Sequence, residues 1–232
     1  MSTENNPPAG KPAPAATKRT HAIQDQTVAN AISEAAQIID KALANADILA
    51  LLAPRGYDAT ELQAGLALQA AAQAAFNARL ASLGAAAEAK KARDAAWVAA
   101  RAEFTDFRGT VQAKYPDAVT RKALGASGVI AGDLQKFVTS ATAAYQAAQQ
   151  PPHAEALAKR SFTAQRLNAA IAALQALLAA DNAFKSAEGA AGADLRNRDA
   201  AVASLGAWMR EFRKNAKLAL KKNPAFVTTL GV

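Results

Sequence analysis

The sequence predicts an all-α fold, an elongated helical bundle of two tandem, pseudo-twofold-related repeats with long helices. Three observations carry this. Ala makes up roughly 30% of the chain, and Ala is the strongest helix former. Val, Ile and Thr are thinly spread and never alternate over a useful length, so no strand is expected. The chain also contains itself twice. At an offset of 105 residues, 52–108 lies over 157–213 without a gap. Leu62 falls on Leu167, Asn77 on Asn182 and Gly84 on Gly189. Arg93-Asp94 falls on Arg198-Asp199, and Phe107-Arg108 on Phe212-Arg213. Two similar units usually pack about a pseudo-twofold axis.

The elements follow in order. Residues 1–22 hold Pro7, Pro8, Pro12 and Pro14 and read as a disordered tail. Val28, Ile32, Ala35, Ile38, Ile39 and Ala42 recur at helical spacing and predict a first helix over about 26–46. Pro54 and Gly56 break it. Asp58, with Glu61 three places on, reads as an N-cap with a capping-box partner. A long helical stretch follows to about Lys114, ended by Tyr115-Pro116, with a short coda to Leu124-Gly125. The second copy, 126–232, repeats the plan of the first, 23–125. A helix is expected over about 133–149, a break at Pro151-Pro152, and a Thr163 cap. A long stretch then runs to about Lys222, and a coda closes at Leu230-Gly231. Gly84 and Gly189 sit inside the long stretches. Each costs about 1 kcal/mol in a helix interior. Neither site has the Pro or Asn-Asp cluster of a turn, so continuous helices of ~80 Å are favoured over hairpins.

The net charge of +8 is unevenly placed. Residues 22–124 carry eleven charges of each sign, whereas 125–232 carry thirteen basic and seven acidic residues. Arg210, Lys214, Lys217 and Lys221 form a stripe on the last long helix, extended by Arg213 and Lys222. Such a stripe reads as a solvated face near the negative end of the helix dipole, or as a surface for an anionic partner: nucleic acid, acidic protein or lipid. Lys11, Lys18 and Arg19 of the tail would assist it.

The last third carries Arg198-Asp199-Ala200-Ala201, Leu205, Trp208, Phe212, Ala216, Ala219-Leu220, Pro224 and Leu230-Gly231. In these residues it resembles an uncharacterised bacterial family of duplicated, all-helical hypothetical proteins. Leu157, Phe162, Leu167 and Gly189 fit the same pattern, and Arg93-Asp94, Phe107, Pro116 and Leu124-Gly125 form a weaker copy. The likeness covers about 52–125 and 157–232. It implies a helical two-repeat protein and brings no activity, cofactor or catalytic residue.

Catalytic chemistry is hard to place. There is no Cys, hence no disulfide, thiolate metal site or Cys nucleophile. His21 lies in the tail and His153 in the Pro-Pro-His loop. Only Glu155 stands near His153, which is not metal-ligand spacing. No Glu-x-x-His, phosphate-binding glycine loop or GxSxG is present. Arg93, Asp94, Arg198 and Asp199 recur at one repeat position. They read as structural inter-repeat pairs, each Arg facing the other repeat's Asp, rather than as an anion site. Trp97, Trp208, Phe104, Met209, Phe107 and Phe212 at helical spacing read as core rather than as a stacking platform for bases.

The expectation is therefore a non-enzymatic structural or interaction protein, with no cofactor or metal. It would self-associate or bind a protein partner, because an Ala-lined core yields little apolar burial per residue at roughly 25 cal/mol per Å². A sequence-nonspecific nucleic-acid or polyanion binder is the second reading. No apolar leader follows Met1 and no run of about 18 apolar residues is seen, so a cytoplasmic protein without a transmembrane segment is expected.

Overall fold

The computed structural model describes residues 15–232, with side chains from Asp25 onward. The Pro-rich residues 1–14, Lys11 among them, and the side chains of Lys18, Arg19 and His21 lie outside the described residues. All regular structure among the described residues is helical. Helix α1 spans Ala15–Ala44 and α2 Ala46–Leu52, followed by a 3-10 turn at Ala53–Arg55. The first long helix, α3, spans Ala59–Lys114, and α4 spans Ala118–Ala123. Next come α5 at Leu134–Ala148, α6 at His153–Ala158, the second long helix α7 at Ala164–Ala219, and α8 at Pro224–Leu230. Helix α1 begins earlier than expected, directly after Pro14, where Ala15 and Ala16 offer no break. Residues 15–22, expected in the tail, therefore belong to it.

Helices α3 and α7 each run 56 residues without interruption, through Gly84 and Gly189 respectively. Their bounds differ by the same 105 residues that relate the two sequence copies. Both glycines face open space, so each costs only its propensity.

Local side chains fix the helix starts. Asn45 accepts from the amides of Asp47 and Ile48. Asp58 accepts from the Glu61 amide at 2.9 Å, Asp117 from Thr120 at 2.7 Å, and Asp133 from Lys136 at 2.9 Å. Thr163 accepts from the Arg166 amide at 3.3 Å. These bonds satisfy first-turn donors that have no intrahelical partner.

Four helix ends close with one device, a left-handed residue whose amide and that of its successor bond back to the last turn. At Gly56 the bonds run from Gly56 to Ala53 and from Tyr57 to Leu52. At Ser161 they run from Ser161 to Ala158 and from Phe162 to Leu157. The Leu124-Gly125 and Leu230-Gly231 codas end likewise, through Ala126 to Arg121 and Val232 to Val227. Ser161 holds φ 69° where the matching position is Gly56 at φ 83°. It is the one non-glycine residue in that region among the described residues.

The chain divides into two compact units that do not follow the two sequence copies. Unit 1 takes the chain up to Arg79 together with Asp194–Val232; unit 2 is Leu80–Ala193. Each unit thus combines the short helices and first part of one long helix with the last part of the other. The core of unit 1 joins Ile32, Ile38 and Ile39 of α1, Ile48 and Leu52 of α2, and Tyr57 and Leu62 with Leu205, Met209 and Phe212 of α7. The core of unit 2 joins Phe104, Phe107 and Val111 of α3, Phe137 and Tyr145 of α5, and Leu157 and Phe162 with Leu167 and Leu174 of α7.

Positions related by the 105-residue offset are buried alike. Leu52 and Leu157, Leu62 and Leu167, Phe107 and Phe212, and Val111 and Ala216 are all inaccessible or nearly so. The aromatic residues expected in the core are there. Phe104, Phe107, Met209 and Phe212 are buried, while Trp97 and Trp208 pack on it half-buried.

Candidate functional site

The aligned halves carry one polar slot each, filled by different chemistry. In unit 1 the slot is Glu61, at the start of α3, facing Trp208 near the end of α7. The indole Nε1 donates to Glu61 Oε1 at 2.7 Å. Glu61 therefore does not close the expected capping box on Asp58; its carboxylate is taken by the indole. The Trp208 ring lies on Gly65, stacks on Phe212 at 5.3 Å between centroids, and meets Tyr57 edge-on at 5.8 Å.

In unit 2 the matching positions are Arg166 for Glu61 and Glu103 for Trp208. Arg166 donates to both Glu103 oxygens, at 2.7 and 3.0 Å, and to Asp106 at 2.6 Å. Its guanidinium also covers the Phe162 ring at 4.0 Å. Hydrogen bonds from Arg166 to Glu103, set against the cost of burial, push its pKa further above its already high value.

Unit 2, with Glu103, Ala100 and Ala173 where unit 1 has Trp208, Leu205 and Leu68, has an open groove between α3 and α7 of about 450 Å³. Alanines of both helices form its walls, and Glu103, Arg166 and Tyr145 line one side. Tyr145 is 1% exposed, wedged edge-on against Phe104 and Phe107. Its hydroxyl lines the groove and has no hydrogen-bond partner among the described residues. Burial, reinforced by the Glu103 charge, raises its pKa and keeps the hydroxyl protonated as a donor.

The expected inter-repeat pairing of Arg93, Asp94, Arg198 and Asp199 takes a different form. Each Arg binds the Asp that follows it, not the Asp of the other copy. Arg93 Nη2 reaches Asp94 at 2.6 Å and lies over Phe184 at 4.3 Å, while Lys90 holds the other Asp94 oxygen at 2.6 Å. Arg198 Nη2 reaches Asp199 at 2.7 Å, and its Nη1 binds Asp25 of α1. The reach of the guanidinium lets an adjacent Asp bend back onto Nε and Nη2, which leaves Nη1 for another partner. Arg198 is 8% exposed, so its pairing with Asp25 anchors α1 in unit 1.

The basic stripe is five residues rather than six. Arg210, Lys214, Lys217, Lys221 and Lys222 are exposed and make no ion pair among the described residues. Arg213 turns away from them and binds Glu34 of α1 at 2.6 Å. Its Nε is buried without a partner, as is that of Arg108 at the matching position. His153 packs edge-on against Tyr115, its Nδ1 3.2 Å from the phenol oxygen. Among the described residues no three His, Cys, Asp or Glu side chains gather as a metal site.

One surface feature escaped the sequence reading. On α3 in unit 1, Ala64, Ala67, Ala71, Ala74 and Ala78 are all exposed and recur at alternating spacings of three and four. On α7 in unit 2, Ala169, Ala172, Ala176, Ala179 and Ala183 do the same at the matching positions. This is a 3.5-residue period, that of a helix seam. Its signal was present in the sequence but is lost where every third residue is Ala.

By length and composition alone, α7 is apolar enough to cross a membrane, a feature not anticipated from the sequence. Its best 18-residue window has a mean hydropathy of 1.3 with 22% of it buried. A core helix of a soluble protein passes the same test, and α7 carries both core residues and the Ala stripe. No family model, curated protein or solved structure matches the chain.

Proposed function

We propose that this protein is a non-enzymatic, self-associating helical scaffold whose copies meet along the exposed Ala stripes of α3 and α7. The observation that carries the reading is the strict 3.5-residue recurrence of exposed Ala at matching positions of both units. A random scatter of Ala over a solvated helix has no reason to keep that period. Small side chains on such a seam let a second helix approach closely and gain dispersion contacts. The α7 stripe is bordered by Asn168, Gln175 and Asn182, all exposed and seven residues apart. Each amide both donates and accepts, so the face is complementary to a copy of itself without any charge. The carboxyl-terminal likeness to a duplicated helical family without assigned activity accords with such a role.

The strength follows from the methyl count. Burial contributes about 0.8 kcal/mol per methylene-sized group, so the roughly ten methyls of two facing stripes supply about 8 kcal/mol. Association costs about 4–15 kcal/mol in lost freedom. One seam is therefore a weak, reversible contact, and matching seams on both units make assembly concentration-dependent.

Sedimentation velocity across about 5–500 μM tests this. The account expects mass to rise with concentration, and the double variant Ala172→Glu/Ala179→Glu to stay monomeric with an unchanged helical spectrum. A wild type that remains monomeric throughout, or a variant that assembles equally, refutes it.

A further inference from the structure

We infer that the open groove of unit 2 is a binding site for a small, flat, uncharged aromatic molecule carrying a hydrogen-bond acceptor. The argument is a comparison of the two units. In unit 1 the matching surface is covered by the chain's own indole. Trp208 lies flat against Gly65 and gives its N–H to Glu61. Unit 2 has no indole there, and Ala100 and Ala173 stand where unit 1 has Leu205 and Leu68. Ala170 replaces Gly65 as floor, Arg166 replaces Glu61, and Glu103 replaces Trp208. Glu103 folds against Arg166 instead of covering the groove. The space left is flanked by small side chains on both helices, including Ala100 and Ala173.

The polar groups define the rest of the ligand. Tyr145 is almost wholly buried, yet its hydroxyl lines the groove with nothing to donate to. That hydroxyl is not among the sealed orphan donors, and an acceptor on the ligand would take its hydrogen bond in place of solvent. Both Glu103 oxygens are engaged by Arg166, and Arg166 is held by Glu103 and Asp106. The network is saturated and carries charges of both signs. Among the lining residues a carboxylate ligand meets Glu103 and an ammonium meets Arg166, so a neutral carbonyl or ring nitrogen fits best. The volume of about 450 Å³ falls within the ordinary range for small-molecule pockets and admits more than one ring.

The groove shares Ala169 and Ala176 with the α7 stripe, whereas Ala172 and Ala179 are not among its lining residues, so a variant at those two positions separates the two readings. The test uses the full chain and Nile red, a planar, uncharged dye with a ring carbonyl, followed by fluorescence. Wild type is expected to bind one equivalent saturably. Coumarin should displace the dye, and naphthalene-2-sulfonate should not. Tyr145→Phe keeps the ring packing and removes only the donor; it should weaken binding roughly 5- to 10-fold, the ordinary effect of one hydrogen bond. Ala173→Leu installs the residue that unit 1 carries at the matching position, Leu68, and should abolish binding without loss of helical content.

The Ala172→Glu/Ala179→Glu protein should bind as wild type does, so failure of the scaffold reading and failure of this one are told apart. The inference is overturned if wild type shows no saturable binding, or if Tyr145→Phe and Ala173→Leu both bind unchanged.

Discussion

Replacing Gly65 and Gly84 by Ala in the same helix should change stability in opposite directions. A Cβ added at Gly65 would lie 2.4 Å from Cη2 of Trp208, 2.6 Å from Cζ2 and 2.8 Å from Cζ3. Ordinary contact begins near 3.4 Å, so the indole must withdraw by about 1 Å. It is not free to do so. Its N–H is tied to Glu61 at 2.7 Å, Phe212 is stacked on it at 5.3 Å, and the edge of Tyr57 is 5.8 Å away. Overpacking of this kind costs about 1–3 kcal/mol. The gain in helix propensity returns about 1 kcal/mol. At Gly84 nothing lies within 4 Å of the added methyl, so only the propensity gain remains. For a chain of this size 1 kcal/mol shifts Tm by about 2–4 °C. Thermal melts followed at 222 nm should show Gly65→Ala melting up to about 8 °C below wild type and Gly84→Ala about 2–4 °C above it. A Trp97→Phe background lets fluorescence report Trp208 alone, and its emission should move in Gly65→Ala only. If Gly65→Ala raises Tm as Gly84→Ala does, the indole does not rest on that face. If Gly84→Ala lowers Tm, the chain bends there and α3 is not one helix.

Three further outcomes are expected. Ser161→Gly should raise stability by up to about 1 kcal/mol, because Ser pays roughly 1–2 kcal/mol for a left-handed conformation that glycine adopts freely, less the extra entropy glycine loses; chemical denaturation measures it. Asp25→Ala should cost about 3 kcal/mol by leaving a buried guanidinium with one partner, and adding Arg198→Met should recover much of that loss. Stability should also fall as pH rises above about 10. The folded-state pKa of Tyr145 lies above the ordinary tyrosine value, so its contribution is complete below that value and is lost as pH climbs toward the folded pKa. Tyr145→Phe should flatten this decline, read from denaturation midpoints between pH 9 and about 12.

Much of the fold was legible because the signals were local. Asp58 and Thr163 mark helix starts by the reach of a short oxygen to an amide three residues on. Leu124-Gly125 and Leu230-Gly231 mark ends because glycine adopts φ near 70° without strain. Gly84 and Gly189 were correctly passed over, since no turn chemistry flanks them.

What was not legible depends on distance in space. Helical periodicity says which face of α3 or α7 is apolar, not which half packs on which short helices, so the exchange of halves between units was hidden. Glu61 had a sound local partner in Asp58 and a better distant one in Trp208. Arg93 and Arg198 were recognised as a recurring pair, but only coordinates show each guanidinium folded onto its own neighbour. Tyr145 looked like any core aromatic on α5, because nothing in its sequence neighbourhood says that its hydroxyl lines a groove. The replacement of Trp208 by Glu103 at the matching position was visible in the sequence, yet it meant nothing until the slot they share was known.

The most direct test of the scaffold uses the absence of cysteine from the chain. A single thiol placed by Ala179→Cys lies on the α7 stripe. One placed by Val119→Cys lies on an 81% exposed residue of α4 that belongs to neither stripe. Copper-catalysed oxidation at micromolar protein, read on non-reducing gels, should join Ala179→Cys chains into disulfide-linked pairs within minutes and leave Val119→Cys chains single. Equal cross-linking at both positions, or none at Ala179→Cys, would contradict the account.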